Sequence, residues 1–247
     1  MEVQLKNPPL IEAVCEFRFD PASEWDWTVP GRLFDEIGNE FSVRSEVRRL
    51  GLSIKQAGET APPPALIEAG PDRIQLKRPD GSAMVQVGPK LLVINHLRPY
   101  TNWETFRDLI LRIYRTYCDI AGSNTLGRLG LRYINQIPQA EQAIEDIITL
   151  RPALSRSLDR SVSTFYQRYE FTHEDPKGIL IHQTGLQLID EKPIIMLDLD
   201  FGSEDVGEIG NTDAVVDWLD RAHDRVEEGF IDSLVPSFYD RLKRGED

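Results

Sequence analysis

Cysteine is scarce in this chain: Cys15 and Cys118 are the only two in 247 residues. Two thiols cannot build a disulfide framework or a cysteine-rich zinc site. Each falls within an apolar pattern, which predicts buried structural thiols. Long apolar runs are missing as well. None approaches the roughly 18–20 residues that a membrane-spanning helix needs, so no membrane partner is expected. The opening residues Met1 to Pro9 lack a basic stretch followed by an apolar one, and a cytoplasmic location is the resulting expectation. The four histidines, His96, His173, His182 and His223, are far apart, and no pair has the helical spacing of a zinc site. A serine-centred nucleophile elbow, a phosphate-cradling glycine loop and a dinucleotide fingerprint are all absent, and Gly127-x-x-Gly130 is a fragment of such a loop at most. No cofactor is expected, and the balance leans away from an enzyme.

Charge is present in quantity and unevenly spread. The net charge is -13, yet residues 1–161 hold 21 acids against 20 bases, whereas residues 162–247 hold 20 acids against 8. The last third therefore carries nearly all of the excess. Such a field repels nucleic acid and favours a solvated surface or a basic partner.

The clearest strand alternation lies at Leu126–Ile137. One face carries Leu129, Leu131, Tyr133 and Ile137 with Asn135 among them. The other carries Arg128, Arg132 and Gln136 beside Gly130 and Ile134. Before it, a strand over Leu10–Phe19 is followed by a helix over Pro30–Phe41 and a short strand near Leu50–Gln56. Gly58–Pro64 reads as a loop. Strands over Arg73–Arg78 and Ala83–Val87 are joined by the turn Pro79-Asp80-Gly81-Ser82, and a third strand covers Lys90–Asn95. Thr101 and Glu104 have the spacing of a capping box, opening a helix to about Ile120. After Pro138 the spacing of Ile144, Ile147 and Ile148 predicts a weaker helix over Glu141–Leu154. Strands follow at Thr164–Thr172, Gly178–Thr184, Leu186–Ile189 and Pro193–Phe201. Asn211-Thr212-Asp213 then caps a long helix, which Pro236 breaks or kinks, with Phe238 and Leu242 continuing a short tail helix.

This order predicts an α+β fold: an antiparallel β-meander with long amphipathic helices across one face. The run of hairpin, third strand and capped helix occurs twice, at Arg73–Ile120 and Tyr166–Leu234. Two similar β-meander-plus-helix halves, divided at 1–137 and 138–247, are one reading of that recurrence, and a single continuous domain is the other.

The segments Pro8–Phe19, Leu129–Ile137 and Ala222–Phe230 together resemble a sporadically distributed prokaryotic family of about this length, one without an established activity. The resemblance spans the chain from end to end. It implies a patchily distributed gene of the mobile or defence-linked kind, and it brings no catalytic residues with it.

Three residue groups are candidate sites. Asp198 and Asp200 alternate in a strand and so share a face, where they could hold a hard cation such as magnesium; an amphipathic strand with its acids in water explains the same pattern. Arg128 and Arg132 share a face, with Asn135 on the same strand. Arg107, Arg112 and Arg115 lie on the preceding helix, and Arg44, Arg48 and Arg49 on an earlier segment. Converging, these arginines would bind an anion, with Tyr100, Trp103 and Tyr114 for stacking; dispersed among the acids, they are ordinary salt-bridged surface. His223, with Asp220, Asp224 and Glu227 within a turn, predicts an ion pair or a hydrogen bond along the helix face. The leading expectation is a non-enzymatic binding or regulatory protein acting through protein contacts, with a protein partner or a second copy of itself. The alternatives are a metal-dependent enzyme of nucleic acids or nucleotides using Asp198 and Asp200, and nucleic-acid binding through the arginine faces.

Overall fold

The computed structural model describes residues 5, 8–20, 25–52, 66–122, 125–139, 142–151, 162–204, 206 and 212–245. The predicted loop at Gly58–Pro64, most of the polar stretch at 155–163 and the cap at Asn211 lie outside them. The described chain is α+β, with one antiparallel sheet of nine strands and four α-helices.

In chain order the elements are β1 (Leu10–Phe19), α1 (Val29–Ile37), β2 (Val43–Leu52), β3 (Leu66–Lys77), β4 (Ala83–Gly88), β5 (Leu91–Leu97), α2 (Trp103–Ala121), β6 (Leu126–Pro138), β7 (Phe165–Glu174), β8 (Lys177–Ile189), β9 (Lys192–Glu204), α3 (Thr212–Ser233) and α4 (Pro236–Arg244). Across the sheet the strands run β2-β3-β4-β5-β1-β6-β9-β8-β7. β1 and β6 meet at the centre, with Val14 opposite Arg132 and Cys15 opposite Leu131. β5 flanks β1 and β9 flanks β6.

Alternation along β1 and β6 sorts side chains as the pleat requires. Ala13, Cys15, Phe17, Leu129 and Leu131 are wholly buried. From this face Phe17 stacks on Tyr114 of α2 at 4.5 Å between ring centroids, and Phe19 on Tyr117 at 5.0 Å. Phe201 of β9 meets Trp218 of α3 at 5.9 Å. Burial pushes the Tyr117 hydroxyl up to about 12 and that of Tyr114 further in the same direction, so both stay neutral in the core.

Local chemistry accounts for the turns and ends. Gly81 takes a positive φ of 75° in the β3–β4 hairpin, and Asp80 accepts from the Ser82 N–H at 2.9 Å. α3 stops at Ser233, and Pro236 opens α4 at a first-turn position where its missing N–H costs nothing.

Three expectations are corrected. The cap of α2 is Asn102, whose side chain accepts from Thr105 N at 2.8 Å, rather than a Thr101–Glu104 box; the Thr101 hydroxyl contacts His96 Nε2 at 3.3 Å instead. The two strands predicted at Gly178–Thr184 and Leu186–Ile189 are the single strand β8, paired with β9 without interruption from Ile179 to Ile189. Of the helix predicted over Glu141–Leu154, the described residues 142–151 form only one 3-10 turn, at Ile144–Asp146. Tertiary bonds take its place: Ile148 bridges Leu234, and Val235 N donates to Ile147 O at 2.9 Å. Ile147 and Ile148 are thus buried as adjacent residues that pin the α3–α4 junction.

Candidate functional site

On the sheet face opposite Phe17 and Leu131, polar side chains join in two lateral chains. The first runs over five neighbouring strands. Ser45 Oγ donates to Gln75 at 3.2 Å, Gln75 to Gln86 at 3.1 Å, Gln86 to Asn95 at 2.9 Å, and Asn95 to Glu12 at 2.7 Å. Each amide offers both a donor and an acceptor, so it can pass the chain on to the next strand. The second runs over the other four. Tyr166 donates to Gln183, Gln183 Nε2 to Asp198 at 3.3 Å, and Arg132 Nε to the same carboxylate at 2.8 Å.

Arg128 occupies a slot of its own. Gly130 of β6 and Gly202 of β9 face each other directly across the strands. A Cβ on Gly202 would lie 2.7 Å from Arg128 Nη2, and one on Gly130 would lie 2.9 Å from Nη1. The two glycines thus make the flat floor on which the guanidinium lies. From there Nη1 reaches Glu16 Oε1 at 2.6 Å, and Nη2 lies 3.6 Å from Asp200 Oδ1. Burial holds the Asp200 carboxyl above its ordinary range, while Arg128 and Arg132 pull it back down.

The candidate residues therefore separate. Arg128, Arg132, Asp198 and Asp200 share one sheet face and neutralise one another. To ligate a cation, Asp198 would have to release Arg132, and Asp200 would have to part from Arg128. Among the described residues no three histidine, cysteine or carboxylate groups are gathered as a metal site would need. The other arginines are dispersed: Arg112 pairs with Glu40 at 2.6 Å, Arg48 with Glu46 at 3.2 Å, and Arg44 lies over the Phe34 ring.

Asn135 and Arg107 belong to a different place. Asn135 is buried and donates to Leu197 O at 3.2 Å. With Tyr100, Tyr133, His223, Glu227 and Phe230 it lines a cavity of about 110 Å³. That is well below the roughly 300–1,000 Å³ of drug-sized ligand sites. The Tyr100 and Tyr133 hydroxyls lie 3.0 Å apart, Tyr133 Oη lies 3.1 Å from His223 Nδ1, and the imidazole stacks on Trp103 at 4.3 Å. Burial pushes His223 down to about 4, so a neutral ring makes this hydrogen bond, where an ion pair or helix-face bond was expected. Arg107 supports the cluster from behind. It donates to Asp220 at 2.9 Å, and Asp220 also accepts from Trp103 Nε1 at 2.9 Å.

The sequence pattern marks β7 as a strand and nothing more. Its even positions, Tyr166, Arg168, Glu170 and Thr172, line up with the polar face. Its odd positions carry Tyr169 and Phe171 beside His182, with ring centroids 6.3 and 6.5 Å from that imidazole. Tyr166, Tyr169 and Phe171 are 65%, 38% and 43% exposed. Odd-position aromatics on a strand ordinarily signal a covered face; only the strand order reveals that β7 is outermost.

No protein-family model matches this chain, and no curated protein does. Three solved chains match, among them a Methanococcus jannaschii TBP at 8% identity and a TM-score of 0.27, the match covering 89% of this chain and 97% of that one.

Proposed function

We propose that this chain is a non-catalytic binding protein that acts through protein–protein contacts, with the outer edge of β7 as the surface it offers. One observation carries this reading: ten residues of edge strand that expose Tyr166, Tyr169 and Phe171. An open edge presents unpaired backbone donors and acceptors, and a partner strand satisfies them. The charged candidates weigh against catalysis here, because Arg128, Arg132, Asp198 and Asp200 engage one another. The same pairing leaves those arginines little to offer a phosphate backbone.

The architecture is read in the same way as two similar halves with their helices on one face. Its support is the strand order: β1 lies beside β5, the last strand before α2, and β6 beside β9, the last strand before α3. The halves would join at β1–β6, which leaves the outer ends of the sheet free for a regulatory contact. The acidic excess of residues 162–247 favours a partner with a basic surface, or a second copy docking through a locally balanced strand.

The test is affinity capture with immobilised wild type and with a Tyr169→Arg/Phe171→Asp double variant, both shown by circular dichroism to be folded. The expected result is a species retained by wild type, this chain included, and at least about tenfold less of it on the variant. Equal retention on both, or none on either, would overturn the reading.

A further inference from the structure

We propose that the occupant of the β7 edge is a second copy of this chain, paired antiparallel through β7 about a two-fold axis at Tyr169. This inference rests on the binding reading above and gives it a partner and a register.

The two edges of the sheet differ in how well they resist such pairing. β2, at one end, has register shifts against β3 at Val47/Arg48 and Arg48/Leu50. Irregularities of that kind twist an edge away from a partner strand. β7, at the other end, keeps an unbroken register with β8 from Phe165 to Glu174. Its sequence, FYQRYEFTHE, contains no proline or lysine, the residues that ordinarily blunt an edge. Among the described residues no strand pairs with its outer side.

Self-pairing also satisfies the side chains. A two-fold axis that makes two edge strands antiparallel stands perpendicular to the sheet and passes between a residue and its own copy. With the axis at Tyr169, Arg168 faces the partner's Glu170 and Glu170 faces the partner's Arg168, while Tyr166 faces the partner's Thr172. On the opposite face Tyr169 meets its own copy, and Phe171 faces the partner's Gln167 with the partner's Tyr169 on the diagonal. Opposite charges and aromatic rings placed this way stabilise a strand pair. Moving the axis one residue to Arg168 sets arginine against arginine, and moving it to Glu170 sets acid against acid. Within one chain Arg168 already bonds Glu170 at 2.6 Å, so the side chains stand at the strand surface in conformations from which they can exchange partners. The same operation places Phe17 and the helices it touches on the same side of the joined sheet in both copies.

Sedimentation equilibrium of the full chain, over a concentration series, tests this. Wild type is expected to dimerise. Arg168→Glu and Glu170→Arg, each alone, place like charges in both cross-strand pairs and weaken the dimer roughly ten- to a hundredfold. Mixed one to one, the two variants restore complementary pairs and associate with each other. A wild type that stays monomeric throughout overturns self-pairing but leaves the capture experiment above to decide whether another protein uses the edge. A dimer that survives both single reversals, or a mixture that fails to associate, also overturns it. Circular dichroism of each variant separates loss of association from loss of fold.

Discussion

Arg128 is the residue on which the centre of the polar face depends. It sits between Glu16 and Asp200, with all three side chains only about a quarter exposed or less. Removing the guanidinium leaves two carboxylates close together without their counter-ion. Arg128→Met is therefore expected to cost about 2 kcal/mol, with Arg128→Met/Asp200→Asn recovering part of it; chemical denaturation measures both. Because the guanidinium lies on Gly130 and Gly202, Gly202→Ala should displace it. The two single substitutions should then be non-additive in the double variant, since both remove the same contact. His223 gives a prediction in pH. Its folded value, about 4, lies below the ordinary 6.5, so the neutral ring is the native form. The resulting stabilisation is fully present above pH 6.5 and is lost as pH falls toward 4, on the order of 3 kcal/mol in all. His223→Gln should flatten the stability profile over that interval, and an unchanged slope would place the titration elsewhere.

At the scale of elements, local signals were legible wherever local chemistry decides. The Asp80-Gly81 hairpin, the break at Pro236 and the alternation of β6 are written in neighbouring residues. The cap of α2 was placed one residue early because Thr101 and Asn102 are both capable N-caps; the Thr101 hydroxyl is taken by His96, which leaves Asn102 to hold Thr105 N. Asn102→Ala should accordingly cost about 1 kcal/mol in thermal unfolding, and Thr101→Ala less. The described part of the stretch at 141–154 departs from its helical pattern for the opposite reason. Its isoleucines match a helix, but their bonds go to Leu234 and Val235, far along the chain, and no local pattern announces that. The candidate site was legible in part. Alternation puts Arg128 and Arg132 on one strand face, and it singles out the acids they meet, Asp198 and Asp200, separately. That the two groups pair depends on β6 lying beside β9, a long-range fact. Asn135 likewise joins a cavity whose other walls come from α3, residues 100–102 and the N-terminal segment, and Arg107 meets Asp220 of α3, which also accepts from Trp103.

At the scale of the whole molecule the sheet order decides what the surface can do. It buries the central strands on one face, ties the arginines and aspartates together on the other, and leaves β7 outermost with aromatic side chains in solvent. No periodicity along β7 distinguishes an edge from an interior strand. Pairing of this edge with a second copy of the chain, as proposed above, is read out by backbone amide hydrogen exchange across Phe165–Glu174. Amides of β7 should exchange markedly more slowly in concentrated than in dilute solution, and Glu170→Arg should abolish the difference. Exchange in β7 that is the same at both concentrations would contradict that pairing.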